Sequence, residues 1–172
     1  MSSVLILAAS TGKNLQLAVS FKQSLEELGH KGTVLDLCSL NVPMYTPQAE
    51  KELTDLSLVE QVMELVLECD AMIVCAPEYN GSIPPVLNNI IAWMSVQSKN
   101  FRMLFNQRKV GLASVSGGGG QYAVMSMRMQ FSYLGSNVIG RPVIINKSNP
   151  FKQSSIDAVS YTHLTLPTTP YV

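Results

Sequence analysis

Apolar residues along this chain fall into two alternating kinds of segment. Val4 to Ala8 is a short unbroken apolar run, of the length and composition of a buried strand. A small polar stretch, Ser10-Thr11-Gly12-Lys13-Asn14, follows it. From Leu15 to Leu28 the pattern changes: Leu15, Ala18, Val19, Leu25 and Leu28 recur at helical spacing, and Gly29 is a natural helix stop. This opening stretch predicts strand, loop and helix.

The same unit recurs. Thr33 to Leu37 predicts a second strand, Val42 to Pro47 a loop, and Leu53 to Leu67 a second helix. Ala71 to Ala76 (AMIVCA) has no polar residue on either face, the pattern of a strand buried on both sides. Pro77 to Pro84 predicts a loop, and Pro85 stands where proline is tolerated, in the first turn of a helix reaching Ser95. Lys109 to Ser116 predicts a fourth strand, Gly117 to Gly120 a glycine loop, Tyr122 to Leu134 a helix, and Val138 to Ile145 a fifth strand. Strands alternating with helices at this spacing predict an α/β domain with a parallel sheet covered on both faces. A closing amphipathic helix should follow Pro150, but Val159 to Thr168 reads VSYTHLTLPT, without a helical stripe. That string resembles the translation of a transposase sequencing adapter. The domain is therefore expected to span 1–158, with 159–172 a non-native tail and the final helix missing. A native C-terminal tail is the competing reading.

At 172 residues, 47% hydrophobic and 14% charged, the chain suits one compact domain and excludes disordered, collagen-like and coiled-coil classes. Its apolar runs are too short to cross a bilayer and its N-terminus lacks a basic leader region, which predicts a soluble, cytoplasmic protein with no membrane partner. Cys38, Cys69 and Cys75, an odd number without CxxC spacing, read as reduced core thiols. His30 and His163 stand far apart, so neither a metal site nor a serine-type triad has a basis. Net charge is zero, yet residues 1–78 carry eleven of the twelve acidic residues, and Tyr79 to Ile156 carries eight basic residues and no acidic one. That asymmetry biases the later loops towards anionic ligands, while the single scattering of Lys and Arg argues against a nucleic-acid partner.

In an open α/β sheet, ligands bind beyond the carboxyl ends of the strands, where the loops after strands one, three and four emerge together. The first loop, Ala9 to Asn14, offers hydroxyls, an amide, an ammonium and a glycine at a helix N-terminus, which suits a phosphate. Simple N-capping by Ser10, Thr11 or Asn14 explains the same residues. The loop is not a nucleotide P-loop, and the GxGxxG fingerprint is absent. The second loop, Pro77-Glu78-Tyr79-Asn80-Gly81-Ser82-Ile83-Pro84, is stiffened by proline at both ends and offers Tyr79 as a flat wall. Its amides suit the edge of a planar heterocycle; the alternative is a rigid connector that caps the next helix. The third loop, Ser114 to Gly120, has four glycines whose conformational entropy favours a close-approach role over mere flexibility.

Together these residues resemble the NADPH-dependent FMN reductase family of flavodoxin-like proteins, which includes quinone, chromate and azo-dye reductases. The resemblance covers Val4 to Ile145, and its most specific element is PEYNGSIPPVLNNIIAW, from Pro77 to Trp93. It implies a doubly wound five-stranded parallel sheet of order 2-1-3-4-5. It also implies FMN phosphate contacts on Ser10, Thr11, Gly12, Lys13 and Asn14, joined by Leu15. Ring contacts are implied on Pro77, Glu78, Tyr79, Asn80, Gly81 and Ser82, and on Ser116, Gly117, Gly118 and Gly119. The family commonly has a Gly-Ser start and an arginine in its first loop, where this chain has Ala8-Ala9 and the shorter STGKN. Lys13 then supplies the charge as a point rather than a bidentate fork.

The implied function is hydride transfer from NAD(P)H through bound FMN to a quinone, flavin or similar small acceptor, chemistry that belongs to the cofactor and needs no side-chain catalyst. No catalytic residue is therefore expected. Glu78 reads as a cap on a backbone amide or as the partner of an arginine across a subunit contact. Ile90, Ile91, Trp93 and Met94 crowd the helix after the second loop, which relatives use for assembly, implying a homodimer or homotetramer; a helix fully buried in a monomer is the alternative. Met125, Met127 and Met129 read as core packing. Arg102, Arg108 and Lys109 either meet NADPH phosphates or occupy a solvated loop. Two other classes compete: a flavodoxin-type electron carrier, disfavoured by the missing acidic surface, and a flavin-free regulatory protein of the same fold.

Overall fold

The apolar runs become strands and the periodic stretches become the helices that cover them. The computed structural model describes residues 1–161. In chain order it contains β1 (Ser3–Ala8), α1 (Lys13–Glu27), β2 (Lys31–Asp36), α2 (Pro47–Glu52), α3 (Ser57–Glu68), β3 (Ala71–Cys75), α4 (Pro85–Gln97), α5 (Arg102–Phe105), β4 (Lys109–Val115), α6 (Gln121–Tyr133), β5 (Asn137–Val138), β6 (Val143–Ile145) and α7 (Gln153–Ala158). The strands pair in parallel in the order β2-β1-β3-β4-β5, with β6 also on β4, which is the flavodoxin-like order expected. β3 lies at the centre with every residue buried, as its lack of polar positions requires.

Side-chain alternation along the strands divides the interior into two cores. Leu5, Leu7, Met72 and Val74 meet Val62, Leu87 and Phe131 from α3, α4 and α6. Val4, Ile6, Ile73 and Cys75 meet Leu17, Phe21 and Ile156 from α1 and α7. Full burial of each large side chain contributes about 1.5–3 kcal/mol, so each sheet face is independently anchored.

Several expectations are corrected. The fifth strand is two pieces, because Pro142 has no N–H to give the ladder and the chain leaves β4 around Gly140 before returning as β6. The Arg128 guanidinium bridges the excursion, donating to the carbonyls of Ile139 and Gly140 at 3.0 and 3.1 Å. The helix predicted from Leu53 is preceded by a separate short one, α2, which Thr46 caps by accepting from the Ala49 N–H at 2.9 Å. Of the three expected core thiols, Cys69 and Cys75 are buried, but Cys38 is exposed in the turn after β2. A closing helix is present, though short: α7 places Ile156 in the core, and Val159 is buried beyond it. Of the tail assigned to 159–172, residues 162–172 lie outside the described residues.

Two further readings change. Ile90, Ile91, Trp93 and Met94 are all buried within the single chain. The Trp93 indole donates to the Pro43 carbonyl at 2.8 Å and meets Tyr45 edge-on, so these four apolar residues of α4 pin the chain before α2. Arg108 donates to the carbonyls of Leu104 and Cys69, Arg102 lies over the Phe101 ring, and Lys109 opens β4. All three therefore sit at the amino edge of the sheet, away from the loops that would meet a dinucleotide. Among the described residues, no helix is long and apolar enough to cross a membrane.

Candidate functional site

The first loop turns sharply after β1 and releases its donors into α1. No side chain caps the first turn of that helix, so N-capping by Ser10, Thr11 or Asn14 does not explain the loop. Thr11, Gly12 and Lys13 are exposed, Ser10 is half-buried, and a Cβ built on Gly12 would meet nothing within 4 Å. The unspent amides and the positive dipole end therefore face open space, which fits a phosphate. Asn14 differs from the contact expected of it. It is 2% exposed, donating from Nδ2 to the Val115 carbonyl at 3.0 Å and accepting from the Val115 N–H at 2.8 Å. Its carboxamide is committed to the chain and ties the first loop to the end of β4. Leu15 is also turned inward, partly buried against the α1-side core.

The second loop is a tight hairpin. Tyr79 and Ser82 exchange backbone bonds of 2.9 and 3.0 Å, and between them Asn80 and Gly81 have φ of 50° and 72°. This is the two-residue turn for which Asn-Gly is the strongest local signal, since both central residues need positive φ. Tyr79 is exposed beside a 410 Å³ hollow that also involves Glu78, Asn80, Ile83 and Pro85. Pro77 is buried beneath the hairpin and shapes it from below. Glu78 Oε2 accepts from the Tyr122 N–H at 3.0 Å, so the capping role forms at the start of α6.

The four glycines of the third loop divide into two pairs. A Cβ on Gly117 would meet nothing within 4 Å, and one on Gly118 would approach Glu78 Oε1 at 3.3 Å; these two border the open edge. Gly120 turns the chain into α6 with φ of 87°, where a Cβ would lie 2.9 Å from the buried Ser114 hydroxyl. The Gly119 carbonyl accepts from Asn146 Nδ2 at 2.9 Å, and the Ser116 N–H donates to the Ile145 carbonyl at 3.1 Å.

The three loops thus share one edge, cross-linked by Asn14 and Glu78, and Asn146 ties the third to the turn after β6. A second hollow, of 580 Å³, runs between the first and third loops past Lys13, Leu17, Ser116, Gly117 and Phe151. The edge is two neighbouring open hollows rather than one enclosed pocket. The open positions at Gly12 and Gly117, the uncapped helix and the exposed Tyr79 ring fit a phosphorylated planar ligand such as FMN. No thiolate competes there, since burial pushes the Cys75 thiol far above its usual range. Asn146 was missed in the sequence, although NKSNP has the composition of a turn in which an asparagine accepts from the amides ahead of it. Asn146 Oδ1 does so, from the N–H groups of Ser148 and Asn149 at 2.9 and 2.8 Å.

The chain is 28% identical over 118 residues to an NADPH azoreductase of Bacillus sp. (strain OY1-2), covering 67% of this chain and 62% of that protein. It is 27% identical over 130 residues to a quinone reductase of Escherichia coli (strain K12), covering 73% of this chain and 69% of that one. The chain thus spans about two thirds of the length of these curated relatives. In fold it is similar to FerB, a flavoenzyme NAD(P)H:(acceptor) oxidoreductase from Paracoccus denitrificans, with a TM-score of 0.69 at 17% identity, covering 93% of this chain and 96% of that one. A model of the NADPH-dependent FMN reductase family matches residues 2–150. Since that match runs from β1 past β6 and takes in all three edge loops, the chain belongs to the NADPH-dependent FMN reductase family.

Proposed function

We propose that this chain is an FMN-dependent oxidoreductase that takes hydride from NAD(P)H and delivers reducing equivalents to a quinone, flavin or similar small acceptor. The observation that carries this reading is the meeting, on one sheet edge, of an uncapped helix N-terminus with a hairpin that is locked by its own backbone. Ser10, Thr11, Gly12 and Lys13 hold the phosphate, with Asn14 as the brace behind them. Tyr79, Asn80, Gly81 and Ser82 present the ring wall, Pro77 and Glu78 fix its position, and Ser116, Gly117, Gly118 and Gly119 line the other side. When bound, FMN supplies the hydride-accepting chemistry; the chain binds and orients its partners and moves no proton through a side chain. The azoreductase and quinone reductase names of the relatives support flat conjugated acceptors.

The finer parts of the reading rest on other features. Tyr122, Met125, Met129 and Tyr133 form one face of α6 and are each 63–80% exposed, so Met125 and Met129 are surface residues, and only Met127 packs in the core. We place the contact of a homodimer on this stripe. Three free cysteines fit a reducing, cytoplasmic setting. The test is steady-state oxidation of NADPH by FMN-saturated protein. Turnover that depends on added quinone is expected, and none from a folded, flavin-loaded sample overturns the assignment.

A further inference from the structure

We propose that the cleft between β6 and α7 holds the phosphates of the adenosine half of the dinucleotide, with Arg141 and Lys152 as its cations. The proposal rests on the NAD(P)H activity inferred above and names where that substrate's remote end is gripped. The cleft has a volume of 530 Å³ and is lined by Arg141, Lys152, Gln121, Asn146, Asn149 and Ser155. That volume lies within the roughly 300–1,000 Å³ of ordinary ligand sites.

Three observations point to a phosphorylated nucleotide. Among the described residues, the one ion pair is Lys22 with Glu26, so Arg141, Lys147 and Lys152 reach solvent without a carboxylate partner. No acidic residue occurs between Tyr79 and Ile156, and the next, Asp157, already accepts from Ser24 and Gln153. The unopposed cations favour a multiply charged anion, and the arginine fork suits a terminal phosphate.

Next, Ile145 and Asn146 line both this cleft and the 580 Å³ hollow that borders the proposed FMN site, so the cleft adjoins the place where the dinucleotide must meet the flavin.

Lastly, the wall is built rather than loose. Asn146 accepts from Ser148 and Asn149 and donates to Gly119, and Asn149 Nδ2 donates to the Ile144 carbonyl. The same Asn146 bond joins the cleft to the glycine loop, which borders the proposed flavin site. Arg102, Arg108 and Lys109, at the opposite edge, cannot serve in this way.

The test is calorimetric titration of the full chain with adenosine 2′,5′-bisphosphate, 5′-AMP and inorganic phosphate, on wild type, the double variant Arg141→Ala/Lys152→Ala, and Arg102→Ala. Wild type and Arg102→Ala are expected to bind the bisphosphate alike, more tightly than 5′-AMP. The double variant should lose at least tenfold, and kcat/KM should fall at least tenfold more for NADPH than for NADH. Equal binding by wild type and the double variant, no binding to wild type, or inorganic phosphate binding as tightly as the bisphosphate overturns the proposal. FMN affinity, read separately by fluorescence quenching, keeps the two readings apart. Lost bisphosphate selectivity with FMN bound sinks only the cleft, while bisphosphate binding without FMN binding sinks the oxidoreductase reading and leaves the cleft as a nucleotide site.

Discussion

The first and second edge loops solve the same positioning problem in opposite ways. The Tyr79–Ser82 hairpin satisfies its own backbone groups and holds Tyr79 outward with no help from a ligand. The Ala9–Gly12 turn leaves the first amides of α1 unspent and relies on a distant brace, the paired bonds between Asn14 and Val115. A planar ring can be received by a finished surface. A phosphate dianion is best received by donors that nothing else has claimed, because its charge must be matched at close range. One loop is therefore complete by itself, and the other keeps free amides for the phosphate proposed to bind there.

Breaking the brace should have the largest effect. Asn14→Leu leaves a half-buried donor and acceptor on Val115 without their partner, at about 1–1.5 kcal/mol each, so a stability loss of about 2–3 kcal/mol is expected, with Tm lowered by roughly 4–12 °C in a thermal melt. FMN affinity should fall with it. Gly12→Val separates binding from folding. Nothing lies within 4 Å of the new Cβ, so stability should change by no more than about 0.5 kcal/mol while the FMN Kd rises at least tenfold, about 1.4 kcal/mol. Equal losses in both would show that the first loop is structural.

Smaller effects belong to the second loop. Gly81→Ala forces an L side chain to φ of 72°, at about 1 kcal/mol, and should weaken FMN only a few-fold because the hairpin's two backbone bonds persist. Glu78→Ala removes the bond to the Tyr122 N–H at the start of α6 and should cost about 0.5–1 kcal/mol, with Glu78→Gln restoring most of it. Glutamine recovering neither stability nor FMN affinity would assign Glu78 an electrostatic role rather than a cap.

What could be read from sequence follows the range of the interactions involved. β3 is plain because AMIVCA specifies burial on both faces; the hairpin is expected only as a stiffened loop, although Asn80-Gly81 carries its turn in two adjacent residues. The break between β5 and β6 is signalled only by Pro142, amid apolar residues on each side that favour one continuous strand. The direction of Trp93 depends on a carbonyl 50 positions away, and that of Asn14 on one 101 positions away, so neither is visible in a local pattern. Such contacts decide which of the expected site residues open onto the loop edge and which support it: Thr11, Gly12, Tyr79 and Gly117 are exposed there, while Asn14, Leu15 and Pro77 lie behind.

FMN and riboflavin differ by the phosphate alone, so a paired fluorescence titration of the purified chain probes the division of labour between the two loops. FMN should saturate the protein and bind at least tenfold more tightly than riboflavin, with the gap closing in Gly12→Val. Equal affinity for both flavins, or no saturable binding of FMN to a folded sample, would contradict a phosphate seat at the start of α1.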